Sequence, residues 1–189
     1  MLRLRFIKII LILTIIINFP SLKAEEKKNI IQSINRIENV EFNFIQISNN
    51  IEETGVCFLK RPYYFKCKYE DKNKKEIIVN KDKLVIYHKR YQKIYNYPLS
   101  KSYFSELLNK KELIELISNG NIEKKDDLFL IKSLIEGKGE ITFYFNKENY
   151  NLAGWDLINL SNNKIIFKIL KIRNNPELSK RFFDIPTVN

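Results

Sequence analysis

Gly55-Val-Cys-Phe-Leu-Lys-Arg-Pro-Tyr-Tyr-Phe-Lys-Cys-Lys-Tyr69 reads as two strands and the turn between them. Pro62 sits where a tight turn tolerates it, and apolar and polar residues alternate on either side. With the turn centred on Pro62, Cys57 and Cys67 are equidistant from it and face each other across an antiparallel pair. In that register Cys57, Leu59 and Arg61 share one face with Phe65, Cys67 and Tyr69, while Lys60, Tyr64, Lys66 and Lys68 form a wet exterior. A bond between the two cysteines would stabilise the hairpin by about 2–3 kcal/mol on the loop-entropy argument. Two buried thiols or redox chemistry are the alternatives, and the chain has no C-x-x-C pair to favour them. Arg61 falls at the rim of the apolar face. An isolated guanidinium there needs backbone acceptors, unless it is a solvated turn charge.

Before the hairpin, Phe42, Phe44 and Gln46 alternate with Asn43, Ile45 and Ile47, the period of a further strand. Upstream of that, Ile30, Ile31, Ile34, Ile37 and Val40 recur at helical spacing with charges between them, which predicts one amphipathic helix over 26–40. After the hairpin, 77–80, 84–88 and 91–96 predict three short strands separated by polar breaks. Pro98 opens a stretch where Phe104, Leu107, Leu108, Ile114 and Ile117 again follow helical spacing, and Gly120 closes it. Strands return at 128–135, 140–146, 152–160 and 164–173, with a last short one at 182–185. About eleven sequential strands with short polar turns imply an antiparallel meander that curls on itself. Two amphipathic helices are too few to cover both faces of such a sheet, so they fill or cap the concave one. Large apolar side chains on that face suggest a cavity lined with hydrocarbon, with a closed and fully packed barrel as the alternative. There is no repeat, linker or low-complexity tract, and the pattern reads as one domain.

The chain begins with a basic segment, Met1 to Lys8, then an apolar run, Ile9 to Phe19, then Pro20-Ser-Leu-Lys-Ala24. This is the order of a secretory signal peptide over 1–24, with Leu22 larger than the residue usual three positions before the cut. An uncleaved anchor is the alternative, although the run is shorter than the roughly 20 residues that span a bilayer. No Cys follows the cut to take a lipid. Residues 25–189 are then a single, soluble domain exported to the cell envelope, long enough for a real core. The net charge of +11 falls to +7 without Arg3, Arg5, Lys8 and Lys23. The excess is Lys spread through an Ile-, Lys- and Asn-rich sequence, a compositional bias and not a nucleic-acid-binding patch.

Catalytic constellations are hard to assemble. His88 is the only histidine, so a histidine-rich metal site or a conventional triad has little to build on. Neither G-x-S-x-G nor a P-loop occurs. Glu52-Glu53 and Asp126-Asp127 fall in polar stretches between elements, where adjacent acids are solvated charge. The reading is of a protein without catalysis, cofactor or metal.

Taken together, Val40-Glu-Phe-Asn-Phe-Ile-Gln46, Gly55 through Phe65 with Arg61-Pro62, Ile77-Ile-Val-Asn80, Leu84-Val-Ile-Tyr87, Gln92, Pro98-Leu99 and the closing Phe183-Asp-Ile-Pro186 resemble the periplasmic outer-membrane lipoprotein carrier family, LolA. The F-x-Q element alone is weak; with G-x-x-x-x-x-R-P-x-x-F at the right distance it is fairly specific. The resemblance implies a mainly β fold with α, an incomplete (open) antiparallel β-barrel of about eleven strands whose amphipathic helices cover the concave apolar face. It implies a monomeric carrier of acylated lipoproteins, loaded by an inner-membrane ABC-type exporter and unloaded to an outer-membrane acceptor. Phe42, Phe44, Leu59, Phe65 and Tyr69 would help line the lipid-binding cavity, with Ile114 and Ile117 on a lid. Arg61 matches the family's arginine, which bonds backbone carbonyls of the lid and latches the empty carrier. Lys81-Asp82, Ser102-Tyr103 and Cys67 depart from the family pattern, which bears on lid geometry and partner affinity. A lipid- or lipoprotein-sensing module on the same scaffold is the competing reading.

Overall fold

The computed structural model describes residues 22–187. Helix α1 (Leu22–Asn35) precedes six strands: β1 (Asn39–Ser48), β2 (Ile51–Lys60), β3 (Tyr64–Tyr69), β4 (Lys75–Asn80), β5 (Lys83–His88) and β6 (Lys93–Pro98). A 3-10 turn at Leu99–Lys101 and helices α2 (Phe104–Leu108) and α3 (Lys110–Asn119) lead into β7 (Asn121–Lys125), β8 (Leu128–Ile135), β9 (Gly139–Asn146), β10 (Leu152–Asn159) and β11 (Lys164–Asn174). A second 3-10 turn, Lys180–Phe183, follows.

All eleven strands belong to one antiparallel sheet in the order β6-β5-β4-β3-β2-β1-β11-β10-β9-β8-β7. Every neighbouring pair is a hairpin except β1 with β11, whose pairing joins the two halves of the chain. The barrel is open. β6 and β7 are its free edges, and residues 99–120 bridge the gap between them.

Alternation decides which side chains enter the concave face. On β1, Val40, Phe42 and Phe44 are buried while Glu41 and Asn43 point away from them. The floor of that face is an aromatic stack: Phe44 lies 4.8 Å from Phe167 on β11, and Phe167 lies 4.2 Å from Trp155 on β10. Phe44 also meets Tyr69 edge-on at 5.0 Å, across β2. Gly55 makes this meeting possible. It stands opposite both Phe44 and Tyr69 in register, and a Cβ there would lie 2.9 Å from the Phe44 ring and 2.2 Å from the Lys68 carbonyl oxygen.

Several expected elements are placed differently. The first helix ends at Asn35, so Val40 belongs to β1; it is still buried because its strand faces the same core. The predicted strand at 182–185 is absent, and the Lys180–Phe183 turn stands there instead. The eleventh strand is β7, a polar edge strand whose one buried residue is Ile122. The helical stretch before it is two helices, broken at Asn109, whose side chain caps α3 by accepting the Lys111 N–H. Tyr64, expected on the wet exterior, is buried: Phe183 of the C-terminal turn packs against its ring at 5.8 Å, and Ile78 and Val85 on the same outer face are fully buried too. Lys66 and Lys68 hold their ammonium groups over the Phe182 ring. The leader expected over 1–24 lies outside the described residues, apart from 22–24, which open α1. No helix among the described residues is long and apolar enough to cross a membrane.

Candidate functional site

Between the concave face and the helices lies a partly enclosed cavity of about 90 Å³. Its walls come from both halves of the sheet: Val40 and Phe42 of β1, Leu59 of β2 and Phe65 of β3 on one side, Phe145, Leu152, Trp155, Ile169 and Ile172 of β9 to β11 on the other. Ile34 and Ile37 close it from the first helix and the turn after it, and Phe104, Leu107, Leu108 and Leu113 from α2 and α3. Apart from Trp155, the lining residues with polar side chains are Ser33, Tyr150 and Arg61. Such a lining dissolves hydrocarbon and little else.

The helices are pinned to the sheet at their outer ends. The buried Glu26 of α1 accepts hydrogen bonds from Lys124 Nζ at 2.8 Å and from the Tyr150 hydroxyl at 3.1 Å. The Ser133 hydroxyl of β8 donates to the Leu116 carbonyl of α3 at 2.7 Å. Before α2, the Tyr103 hydroxyl donates to the Lys138 carbonyl, and Lys138 Nζ donates to Ser102 O, Ser105 Oγ and Glu106.

Arg61 stands where β2 ends. Its backbone N–H donates to the Glu38 carbonyl at 2.9 Å, which fixes the turn against the start of β1. Its guanidinium crosses the cavity mouth, and Nη1 donates to the Leu108 carbonyl, at the end of α2, at 2.9 Å. Nε is buried with no acceptor. Burial lowers the Arg61 pKa, and the nearby Glu38 carboxylate offsets part of that. The guanidinium is thus held among apolar side chains by one hydrogen bond to the end of α2, with the Glu38 carboxylate nearby.

Of the residues expected to line the cavity, Phe42, Leu59 and Phe65 do so and Arg61 stands at its mouth. Phe44 and Tyr69 do not, because they are consumed in the aromatic floor; the Tyr69 hydroxyl donates to Gln46 Oε1 at 2.9 Å and burial pushes its pKa up. Ile114 and Ile117 do not line it either. The break at Asn109 re-phases the stripe, so α2 points Leu107 and Leu108 inward and α3 points Leu113, while Ile117 is buried elsewhere in the core. The contribution of β9 to β11 went unread in the sequence, although Phe143/Phe145 and Trp155/Leu157 alternate there with the period of a strand face. A disulfide joins Cys57 to Cys67, which are paired in register beneath this wall.

Phe104 separates the cavity from a second, open apolar cleft of about 260 Å³, lined by Ile77, Leu84, Ile86, Tyr97 and Pro98 near the β6 edge. The Phe104 ring leans on Phe65 at 5.1 Å. The acidic pairs lie apart from both spaces. Glu53 pairs with Lys75 and accepts from Gln46, while Asp126 and Asp127 form the β7–β8 turn. His88 ends β5 edge-on to Tyr95 at 5.7 Å. Among the described residues no three His, Cys, Asp or Glu side chains gather as metal ligands.

A family model described as outer membrane lipoprotein carrier protein LolA matches residues 35–186. No curated protein matches the chain by sequence. Among solved structures, an uncharacterized conserved protein from Thermus thermophilus aligns with a TM-score of 0.56 at 7% identity, over 86% of this chain and 94% of its own. A chain of the Pseudomonas aeruginosa MucA/MucB complex aligns with a TM-score of 0.51 at 8% identity, over 87% of this chain but 61% of its own. At such identities the likeness is one of fold.

Proposed function

This chain belongs to the LolA family of outer membrane lipoprotein carrier proteins, and from that premise we propose that it carries acylated lipoproteins across the periplasm. In this reading residues 1–24 are a cleaved leader and 25–189 work as a single soluble domain. The domain takes cargo from an inner-membrane ABC-type exporter and yields it to an outer-membrane acceptor. The observation that carries the reading is the apolar cavity between sheet and helices, with Arg61 in its lining and bonded to the end of α2.

The energetics favour such a device. Each buried methylene contributes about 0.8 kcal/mol, so an acyl chain of roughly fifteen methylenes is held in a membrane by about 12 kcal/mol. Transit through water without a carrier is negligible. A ligand pocket spans roughly 300–1,000 Å³, so a cavity of about 90 Å³ must widen before it takes an acyl chain. Interaction energy spent on keeping the lid shut lowers the apparent affinity for hydrocarbon, which suits a carrier that must let go. Phe42, Leu59 and Phe65 contact the chain in the loaded state, and the Arg61–Leu108 bond is broken there.

The test is to express the full chain, purify its soluble form, and mix it with cells stripped of their outer membrane. Acylated lipoprotein should appear as a soluble complex with the protein, dependent on ATP and on intact acyl chains. Extraction of free lipid with no lipoprotein would refute the carrier role. It would favour the second reading, a lipid-sensing module on the same fold.

A further inference from the structure

Charge is not evenly spread over this molecule. The hairpin of β5 and β6, with its flanking turns from 81 to 101, carries Lys81, Lys83, Lys89, Arg90, Lys93 and Lys101 against a single acid, Asp82. All six cations are exposed, and none forms an ion pair among the described residues. The β3–β4 turn adds the exposed Lys72 and Lys74: backbone bonds from Lys89 N to Lys74 O and from Arg90 N to Asn73 O hold the two turns together. The acids of that turn are engaged, Glu70 with the Thr54 hydroxyl and Asp71 with the Lys75 N–H. The groove between α3 and β8 differs, with Glu106, Glu112, Glu115, Glu136 and Glu140 against the single cation Lys132. A compositional bias toward Lys would not sort the charges this way.

Aromatic residues mark the same edge. Tyr91, Tyr95 and Tyr97 are 55%, 46% and 48% exposed, at the hairpin tip and along the concave-side face of β6. The apolar cleft beside Tyr97 opens there, with Lys101 on its rim and Phe104 as its wall toward the first cavity. Exposed tyrosines with an apolar body and a polar tip suit the headgroup layer of a bilayer. Unpaired cations suit its anionic lipids.

We propose that the β5–β6 edge docks this protein on anionic lipid bilayers and sets the mouth of the apolar cleft against the membrane surface. This goes beyond the carrier reading and does not depend on it, since a bilayer can be bound without any lipoprotein. The face is a free sheet edge, so docking needs no rearrangement of the sheet.

Vesicles of phosphatidylcholine with and without phosphatidylglycerol, sedimented with the soluble form of the full chain, test this. Binding should need phosphatidylglycerol and fade with salt. Each cation near an anionic surface is worth about fivefold in partitioning, so Lys89→Glu/Arg90→Glu/Lys93→Glu should lower binding at least about a hundredfold. Lys111→Glu/Lys125→Glu/Lys180→Glu makes the same change in net charge at exposed sites elsewhere and should bind far better. Tyr91→Ser/Tyr95→Ser should weaken binding without altering its salt dependence. The proposal is overturned if the wild-type protein stays in the supernatant, or if the two charge-reversed variants lose binding equally. Failure here with intact lipoprotein release would leave the carrier function standing, and the converse result would leave the membrane edge standing.

Discussion

Replacing Arg61 with leucine isolates the closure of the cavity. The substitution deletes one charge-assisted hydrogen bond to the Leu108 carbonyl, which the proposed latch would make only in the shut state. A bond of that kind contributes about 1.5–3 kcal/mol, and the unpaired, buried Nε argues for the low end of the range. A loss of about 1.5 kcal/mol shifts the shut-to-open balance about tenfold. Where the open form is scarce, the apparent affinity for hydrocarbon rises by the same factor. Trp155 supplies the assay, being the one tryptophan of the chain, stacked on Phe167 and part of the cavity wall. Its emission should shift as a single-chain fatty acid fills the cavity. Titration of Arg61→Leu should give an apparent Kd about tenfold lower than wild type, with slower release and loaded carrier accumulating in cells. The melting temperature should fall by only about 3–6 °C, since the lost bond destabilises the shut, folded form by about 1.5 kcal/mol. An Arg61→Leu protein that melts within that range yet binds hydrocarbon no more tightly would refute the latch. So would normal hand-over of cargo by that variant.

Two further outcomes bear on the wall around the cavity. Reducing the Cys57–Cys67 disulfide, or replacing both residues with serine, should cost about 2–3 kcal/mol of stability. That would appear as a melting point lower by about 5–10 °C, and an unchanged melt in reductant would show that the crosslink carries no stability. Gly55→Ala should cost about 3 kcal/mol or more, since its Cβ would lie 2.2 Å from a backbone oxygen that cannot swing aside. Denaturant midpoints of the two proteins measure this, and a shift below about 1 kcal/mol would mean that β2 and β3 part there without penalty.

The first half of the sheet was legible because its signals are local. Cys57 and Cys67 flank Pro62 symmetrically, and that alone places Leu59 and Phe65 on one face. The rest depends on contacts that a linear pattern does not carry. β7 has one buried residue in five, so its alternation is invisible; pairing with β8 makes it a strand. Phe182 and Phe183 look like a strand because they are aromatic, yet they serve as a cover for Tyr64 on the outer face. The lid's inward face turns on Asn109, which resets the phase of the helical stripe by leaving the helix and capping the next. Trp155 and Phe145 enter the cavity only because β1 pairs with β11, a contact between residues more than a hundred positions apart.

The segment 99–120 leaves the sheet at β6 and rejoins it at β7, the two strands with a free edge. The lid is therefore tied to both lips of the opening it covers, like a drawstring threaded through the mouth of a pouch. Mouth width and lid height form one mechanical coordinate. If α2 lifted away from Arg61, the movement would draw on Pro98 at one lip and on Asn121 at the other. Whatever grips the β6 edge thus has a handle on the cavity without reaching into it.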